Sequence, residues 1–473
     1  MVAATNIPAL ETSDDLYTRL WTEDLSRSHG FEPLRVEGKL PAELRGTLYR
    51  NGPALFGQYG QRYSHPFEGD GAITAVRFSG GKVLGASQVT PTAGLQAERT
   101  AGRMLYGFNI PWLRRMRNVF TQGFKNTANT NVIVWQGKLL ALMEAGVPTA
   151  LDPKDLAFSG ETTLDGSVVS WFSAHPHRVA TRNAIYNFGL EVGRKNKLHC
   201  YELPDTGPAR HLAAIDLPGA PMLHDFIATE SHLVFFVSPT RVNLKNLFLQ
   251  RGGFEDMWRW QPDLGTEIIC VPIDRPSDVV RFTTDAFYQW HFTNAFTRGH
   301  EIVVDYIRYP DFASFYELGR VLRDGETREI GKGRPHRAVI DLTARTLRSE
   351  QLLDRAAEFP TVAPGSEGRE HGLSYLALEH LTGIGKLDAK TNKLTTHVLP
   401  SSQRVTEPLF VPRPGSTAED DGWLVALCHD GPSNQAFTAV YDAARLEDGP
   451  VARAWFDHQI PITFHGTFAS GLV

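Results

Sequence analysis

The stretch AITAVRFSGGKVLGASQV, residues 72–89, holds two β-prone runs on either side of Gly80-Gly81. That pattern predicts a hairpin with a two-residue turn. The same arrangement recurs at 130–146, TNVIVWQGKLLALMEAG, around Gln136-Gly137. Further short runs follow along the chain, among them AIYNFGLE, HLVFFVSP, EIICVPID, EIVVDYIRY, GWLVALCHDG and QAFTAVYDAAR. Many end in turn phrases built on aspartate, such as VPIDRPSD, VIDLTART and KLDAKTNK. Strand–turn–strand units of this kind suggest propeller blades, which repeat at about 40–45 residues. A chain of 473 residues leaves room for about seven blades with insertions at that period. The repeat is weak in sequence, so a large β-sandwich is the rival. No linker or low-complexity segment divides the chain, and residues 1–473 are expected to form one all-β domain with residues 1–30 peripheral.

Composition narrows the function classes. Hydrophobic content of 42%, charged content of 21% and 42 glycines describe a globular protein. A net charge of −5 gives no reason to expect a nucleic acid partner. Cys200, Cys270 and Cys428 are odd in number, lack a CxxC pair and fit reduced thiols in a cytoplasmic protein. The first twenty residues lack the basic and apolar regions of a signal peptide. No apolar run approaches the roughly 20 residues of a spanning helix. A strand-to-helix GxGxxG is absent, so neither a nicotinamide nor a flavin cofactor is expected, nor haem.

One segment breaks the β pattern. In GFNIPWLRRMRNVFTQGF, residues 107–124, Trp112, Leu113, Met116, Val119 and Phe120 recur at helical spacing beside Arg114, Arg115 and Arg117. A helix packed on the body is one interpretation, and a basic amphipathic helix dipping into a membrane surface is the other. VNLKNLFLQRGG, residues 242–253, sets Leu244, Leu247 and Phe248 at the same spacing. Membrane contact is therefore expected through 108–124 and 242–249, on a cytoplasmic protein with a membrane-facing side.

Seventeen histidines are present, and four share a setting of apolar or small neighbours beside a strand-like run or turn. They are His175 in FSAHPHR, His224 in PMLHDFIAT, His291 in YQWHFTNAF and His465 in TFHGTF. Singly, each suits a hydrogen-bonded core residue, and their wide spacing is no compact ligand motif. In a propeller, however, inner strands of different blades converge on one axis. Glu144 in LALMEAG, Glu358 in RAAEFPT and Glu407 in VTEPLF lie in similarly apolar settings. Buried carboxylates need partners, and a ligating imidazole commonly donates its second N–H to a carboxylate. Exposed loop glutamates are the alternative.

At this point the chain resembles the carotenoid cleavage oxygenase family. The resemblance rests on GTLYRNGPALF, HPFEGDGAIT, KNTANTNVIVW, SAHP, LHDF, HFTNAF, EFP, EPLFVPRPG, EDDGWLVAL and the terminal HG, in that order from residue 46 to 466. The bacterial apocarotenoid-cleaving branch is nearest in pattern. The resemblance implies a seven-bladed β-propeller with a helical and loop dome, including residues 100–128 and 240–262, over an axial metal site. It implies non-haem Fe(II) held by His175, His224, His291 and His465, with Glu144, Glu358 and Glu407 orienting three of them. It also implies O2 as co-substrate and cleavage of a conjugated C=C bond to two carbonyl products. Thr130 matches a position whose side chain crowds the open iron site. Phe67, Met143 and Trp290 are candidate walls of a tunnel for a lipophilic polyene, or ordinary core. His177, His199, His429 and His458 lack the matching motif and are expected to be structural or surface residues.

Departures from the family pattern bear on the substrate. The stilbene-cleaving branch carries a lysine just before the first glutamate, where this chain has Met143, and a dome-loop tyrosine where it has Asn109. An apocarotenoid or carotenoid is thereby favoured over a stilbene or phenylpropene, the alternative on the same scaffold. After NAF the family often continues with acidic residues, where this chain has Thr297-Arg298. Isomerisation at the same centre stays open, and a non-enzymatic binding propeller would need to hold no metal.

Overall fold

The structure, a computed structural model, describes residues 16–121, 124–243, 246, 253–325 and 333–471. The hairpin at 72–89 forms as expected: Ser79 pairs with Lys82, and Gly80 and Gly81 both adopt positive φ, 57° and 87°. A turn of that hand matches the twist of the flanking strands and is strained for most side chains. The second hairpin turns on Gln136 and Gly137, with φ of 47° and 77°. The aspartate phrases close turns by a different device. Asp341 Oδ1 accepts the backbone N–H groups of Thr343 and Ala344 (2.9 and 2.8 Å), and Asp388 Oδ1 accepts those of Lys390 and Thr391 (2.8 and 3.0 Å).

These units assemble into seven sheets of four to six strands, the blades of a β-propeller; two further sheets have two strands each. Blade 2 spans Asn131–Glu161, blade 3 His177–Leu217, blade 4 Ile227–Thr284, blade 5 Tyr288–Gln351 and blade 6 Ala357–Val398. Blades 1 and 7 are shared between the chain ends. Blade 1 has the order 29–33, 82–89, 70–79, 46–55, 465–469, so the last strand of the chain lies innermost beside the first long one. Blade 7 runs 35–38, 450–455, 435–442, 422–430, 403–405, with an N-terminal strand on its outer edge. The ring is thus closed twice by antiparallel pairing, with Asn51 opposite His465 and Arg35 opposite Trp455. Closure ties the strands 29–33, 35–38 and 465–469 into the ring, and each blade keeps only a short inner edge facing the axis.

The core lies in layers between neighbouring blades. Blades 3 and 4 share Phe188, Phe226 and Phe235, and blades 4 and 5 share Phe236, Phe292 and Tyr306. Cys200, Cys270 and Cys428 are buried in such layers as free thiols, and burial pushes each up to about 12. Thiols held protonated in apolar packing are inert toward metal binding and exchange.

The N-terminal expectation needs correction. Residues 1–15 lie outside the described residues, but 16–22 are not peripheral, whereas 23–30 are mostly exposed. Leu16–Thr22 is a helix whose Leu16, Tyr17, Leu20 and Trp21 are buried against Leu318, Val321 and Phe464. Its apolar positions recur at i, i+4, which gives one buried stripe. Helices at Ala93–Ala101, Trp112–Thr121 and Ala313–Asp324 join it on one side of the ring. The last of these, inserted between two strands of blade 5, was not foreseen from sequence. On Trp112–Thr121, Trp112 and Leu113 are 61% and 68% exposed; the side chains of Met116, Val119 and Phe120 lie outside the described ones, as do Leu244, Leu247 and Phe248. Among the described residues no helix is long and apolar enough to cross a membrane.

Candidate metal centre

Each blade brings one chemically distinctive side chain toward the axis. His465 opens the inner strand of blade 1, and Glu144 follows the strand Lys138–Leu142 of blade 2. His175 and His224 immediately precede the first strands of blades 3 and 4, and His291 lies in that of blade 5. Glu358 lies in the first strand of blade 6, and Glu407 sits between two short strands of blade 7. Positions dispersed over more than 300 residues of sequence therefore meet because the ring brings its inner strands together.

The four histidines are buried, and one donor atom of each falls within 4.8 Å of the other three. His291 Nε2 lies 3.3 Å from His224 Nε2 and 3.0 Å from His465 Nε2. On the far side of three rings stand carboxylates. His224 Nδ1 pairs with Glu144 Oε1, His291 Nδ1 with Glu358 Oε2, and His465 Nδ1 with Glu407 Oε1 at 2.8 Å. With Nδ1–H donated outward, each Nε2 keeps its lone pair for the axis. His175 Nε2 is a buried nitrogen with no hydrogen-bond partner in the protein. A buried orphan acceptor is costly unless it binds something. An all-imidazole donor set of this kind suits a borderline transition metal such as iron, and three carboxylates offset a divalent charge.

The electrostatics favour the neutral imidazole for His175 and His465 but not for His291. Burial, reinforced by the neighbouring rings, pushes His175 well below the ordinary histidine range. Burial lowers His465 to about 4 despite Glu407. Burial also acts to lower His291, but Glu358 outweighs it and moves His291 upward. Glu358 shows the reciprocal effect: burial opposes ionisation, yet His291 and then Tyr309 hold its carboxyl below the usual range. Glu407 is likewise held low, since Arg50 and His465 outweigh burial.

Sequence reading missed the residues that hold the carboxylates. Arg50 is buried in the strand Gly46–Leu55, pairs through Nη1 with Glu407 Oε2 and donates Nη2–H to Phe464 O at 2.7 Å. Removing one partner of such a pair costs about 3–5 kcal/mol, because the other charge stays buried. In sequence Arg50 is the one charged residue of GTLYRNGPALF, which marks it out but does not name its partner. Tyr309 O–H donates to Glu358 Oε1 at 2.6 Å. Phe359 stacks on His291 and has φ of 51° although it precedes a proline, a position normally extended. Its N–H donates to Glu358 Oε2 at 2.9 Å, which ties the strained residue to the carboxylate.

The centre opens into a cavity of about 610 Å³, within the span of small-molecule sites. Phe67, Thr130, Met143 and Trp290 all line it, with His224, His291 and His465. Trp290 stands edge-on to His224 at 4.7 Å and donates Nε1–H to Ser314 Oγ at 2.8 Å. Phe67 packs edge-on against Trp290 and Phe464. Met143 Sδ accepts Thr127 N–H at 3.1 Å, and Thr130 Oγ1 donates to Asn129 Oδ1 at 3.0 Å. Asn109 is not among the lining residues; it donates to Arg62 O at 2.8 Å. His177, His199, His429 and His458 are engaged elsewhere, with Asp225, Glu191 and His211, Gln459, and Asp457 respectively.

A closed seven-bladed ring with four buried imidazoles at its axis and an apolar chamber over them defines a propeller built around an axial metal site. Residues 25–470 match the family described as RPE65, retinal pigment epithelial membrane protein, and the chain belongs to this family, that of the carotenoid cleavage oxygenases. It is 33% identical over 460 residues to apocarotenoid-15,15'-oxygenase of Synechocystis, with 92% of each chain covered. It is 29% identical to lignostilbene-alpha,beta-dioxygenase isozyme III of Sphingomonas paucimobilis, covering 92% of this chain and 93% of that one. Cobalt-substituted Synechocystis apocarotenoid oxygenase superposes with a TM-score of 0.86 at 29% identity, over 96% of this chain and 98% of the other.

Replacing His291 by Ala is expected to abolish metal uptake, measured by anaerobic titration of the metal-free protein. Glu358→Gln keeps the shape but loses the charge behind His291, and metal affinity is expected to fall about 10–100-fold with the fold intact. Wild-type affinity in either variant contradicts the arrangement described.

Proposed function

We propose that the protein is an Fe(II)-dependent dioxygenase that cleaves a conjugated C=C bond of an apocarotenoid or carotenoid to two carbonyl products. The observation that carries this reading is the convergence of four buried imidazoles, three with their Nδ1 on carboxylates, at the floor of an apolar chamber. His175, His224, His291 and His465 are the proposed ligands, with Glu144, Glu358 and Glu407 fixing ring orientation. Ferrous iron held there supplies the binding and activation of O2 next to an electron-rich alkene.

The chain's own residues do the remainder. Trp290, Phe67 and Phe464 form flat walls that align a polyene and exclude water from the reacting bond. Thr130, between the blade 1 and blade 2 inner strands, narrows the approach to the imidazoles; its carbonyl accepts the N–H of His465 at 3.3 Å. Near the first glutamate the cavity offers no free base for a phenol, because Met143 stands there. Lys125 does line the chamber, but it is held by Tyr63 O–H at 3.0 Å, Asp70 at 2.6 Å and Glu98 at 2.6 Å. An Nζ committed to two carboxylates and a phenol oxygen is not free to act on a substrate phenol, which disfavours the stilbene alternative that needs phenol deprotonation.

A lipophilic substrate needs a route from a lipid phase. Phe124, 51% exposed, lines the cavity, and Trp112 and Leu113 stand exposed nearby in sequence beside Arg114 and Arg115. An apolar surface with a basic border suits peripheral contact with an anionic membrane.

With iron-loaded protein under 18O2, an apocarotenal is expected to yield two carbonyl products each carrying one labelled oxygen, while a hydroxystilbene is left intact. Stilbene turnover without polyene turnover reverses the substrate assignment. The double variant Trp112→Glu, Leu113→Glu is expected to lose cosedimentation with vesicles of phosphatidylcholine and phosphatidylserine while keeping turnover of detergent-dispersed substrate. Unchanged cosedimentation makes that surface merely structural.

A further inference from the structure

Three of the four axial histidines have a carboxylate on the ring; His175 does not. The carboxylate nearest to it is Asp225, whose Oδ1 lies 3.9 Å from His175 Nδ1, too far for a hydrogen bond. Asp225 is buried, and its two oxygens accept three hydrogen bonds. Oδ1 takes Nε2–H of His177 and the N–H of Phe226, both at 2.8 Å, and Oδ2 takes the N–H of Phe292 at 2.8 Å. Each donor adjoins an axial histidine in the chain: His177 is two residues beyond His175, Phe226 two beyond His224, and Phe292 one beyond His291. The donors belong to blades 3, 4 and 5, so one carboxylate ties three neighbouring inner strands together directly beside the centre.

We propose that Asp225 is a positioning residue that sets His175, His224 and His291 together, by fixing the backbone beside each of them instead of binding their rings. The inference rests on the proposal that these histidines hold a metal. A fully buried ion is tolerated only when its oxygens are saturated with donors, and three charge-assisted bonds meet that need here. The arrangement also accounts for the histidine without a glutamate. His175 is held through Pro176 and the cross-blade bond of His177. Asparagine at 225 keeps the volume but turns one acceptor into a donor that faces either Phe292 N–H or the His177 and Phe226 donors, so at least one strand is released.

The test uses the full-length, metal-free protein titrated with Co(II), read by visible absorption. Asp225→Asn is expected to bind cobalt about 10–100-fold more weakly and to shift the energy or intensity of the d–d bands, while far-UV circular dichroism stays that of the wild type. His177→Phe removes only the blade 3 donor and keeps an aromatic ring against Phe226, which His177 meets edge-on at 5.2 Å. It is expected to shift the bands in the same direction with a smaller loss of affinity. Wild-type bands and affinity in Asp225→Asn, with or without a lower Tm of the metal-free protein, overturn the proposal. If Asp225→Asn does not fold, wild-type bands in His177→Phe overturn it. Failure of the wild type itself to bind cobalt overturns the ligand assignment as well, which separates the two ideas.

Discussion

Four buried imidazoles can meet at one point only if groups outside that point fix their tautomers and rotations. Here carboxylates on the far side of three rings do much of the fixing, and two of those carboxylates are themselves braced. Glu358 is held by Tyr309 and by the N–H of Phe359, and Glu407 by Arg50 and Gly466. Burial alone would neutralise these acids; the partners keep them ionised. Without them the rings would be free to rotate, and nothing would keep lone pairs facing the axis.

The propeller meets this demand cheaply in chain length, because one side chain per blade suffices. Its weak point is the seam, where the first and last strands must find each other. That seam is also where His465 lies, paired in register with Asn51 and joined to blade 7 through Glu407 and Arg50. Ring closure and the fourth imidazole therefore depend on the same contacts. The helix Leu16–Thr22 reinforces the seam by packing Trp21 against Phe464.

Much of this was legible in the sequence, though by different routes. Paired positive-φ turns and aspartate-capped turns are local, and they gave the β-rich character directly. Spacing could not join His175 to His465; the ordered set of family motifs did that, and the glutamates came with it. The residues that brace the carboxylates were not legible, since Arg50 and Glu407 are 357 positions apart and only the folded ring makes them neighbours. The helix Ala313–Asp324 was overlooked because it interrupts a blade between two strong strands. Residues 16–22 were read as peripheral because their apolar stripe is short and its partners, such as Leu318 and Phe464, lie hundreds of residues away.

The central claim is that four imidazoles, and no carboxylate, bind the metal directly. Iron K-edge X-ray absorption of the anaerobically reconstituted Fe(II) protein tests it most directly. The account predicts one iron per chain whose nearest shell carries the multiple-scattering pattern of four histidine rings, with any oxygen in that shell coming from solvent. A first shell with fewer imidazoles and a glutamate oxygen bound to iron would contradict it.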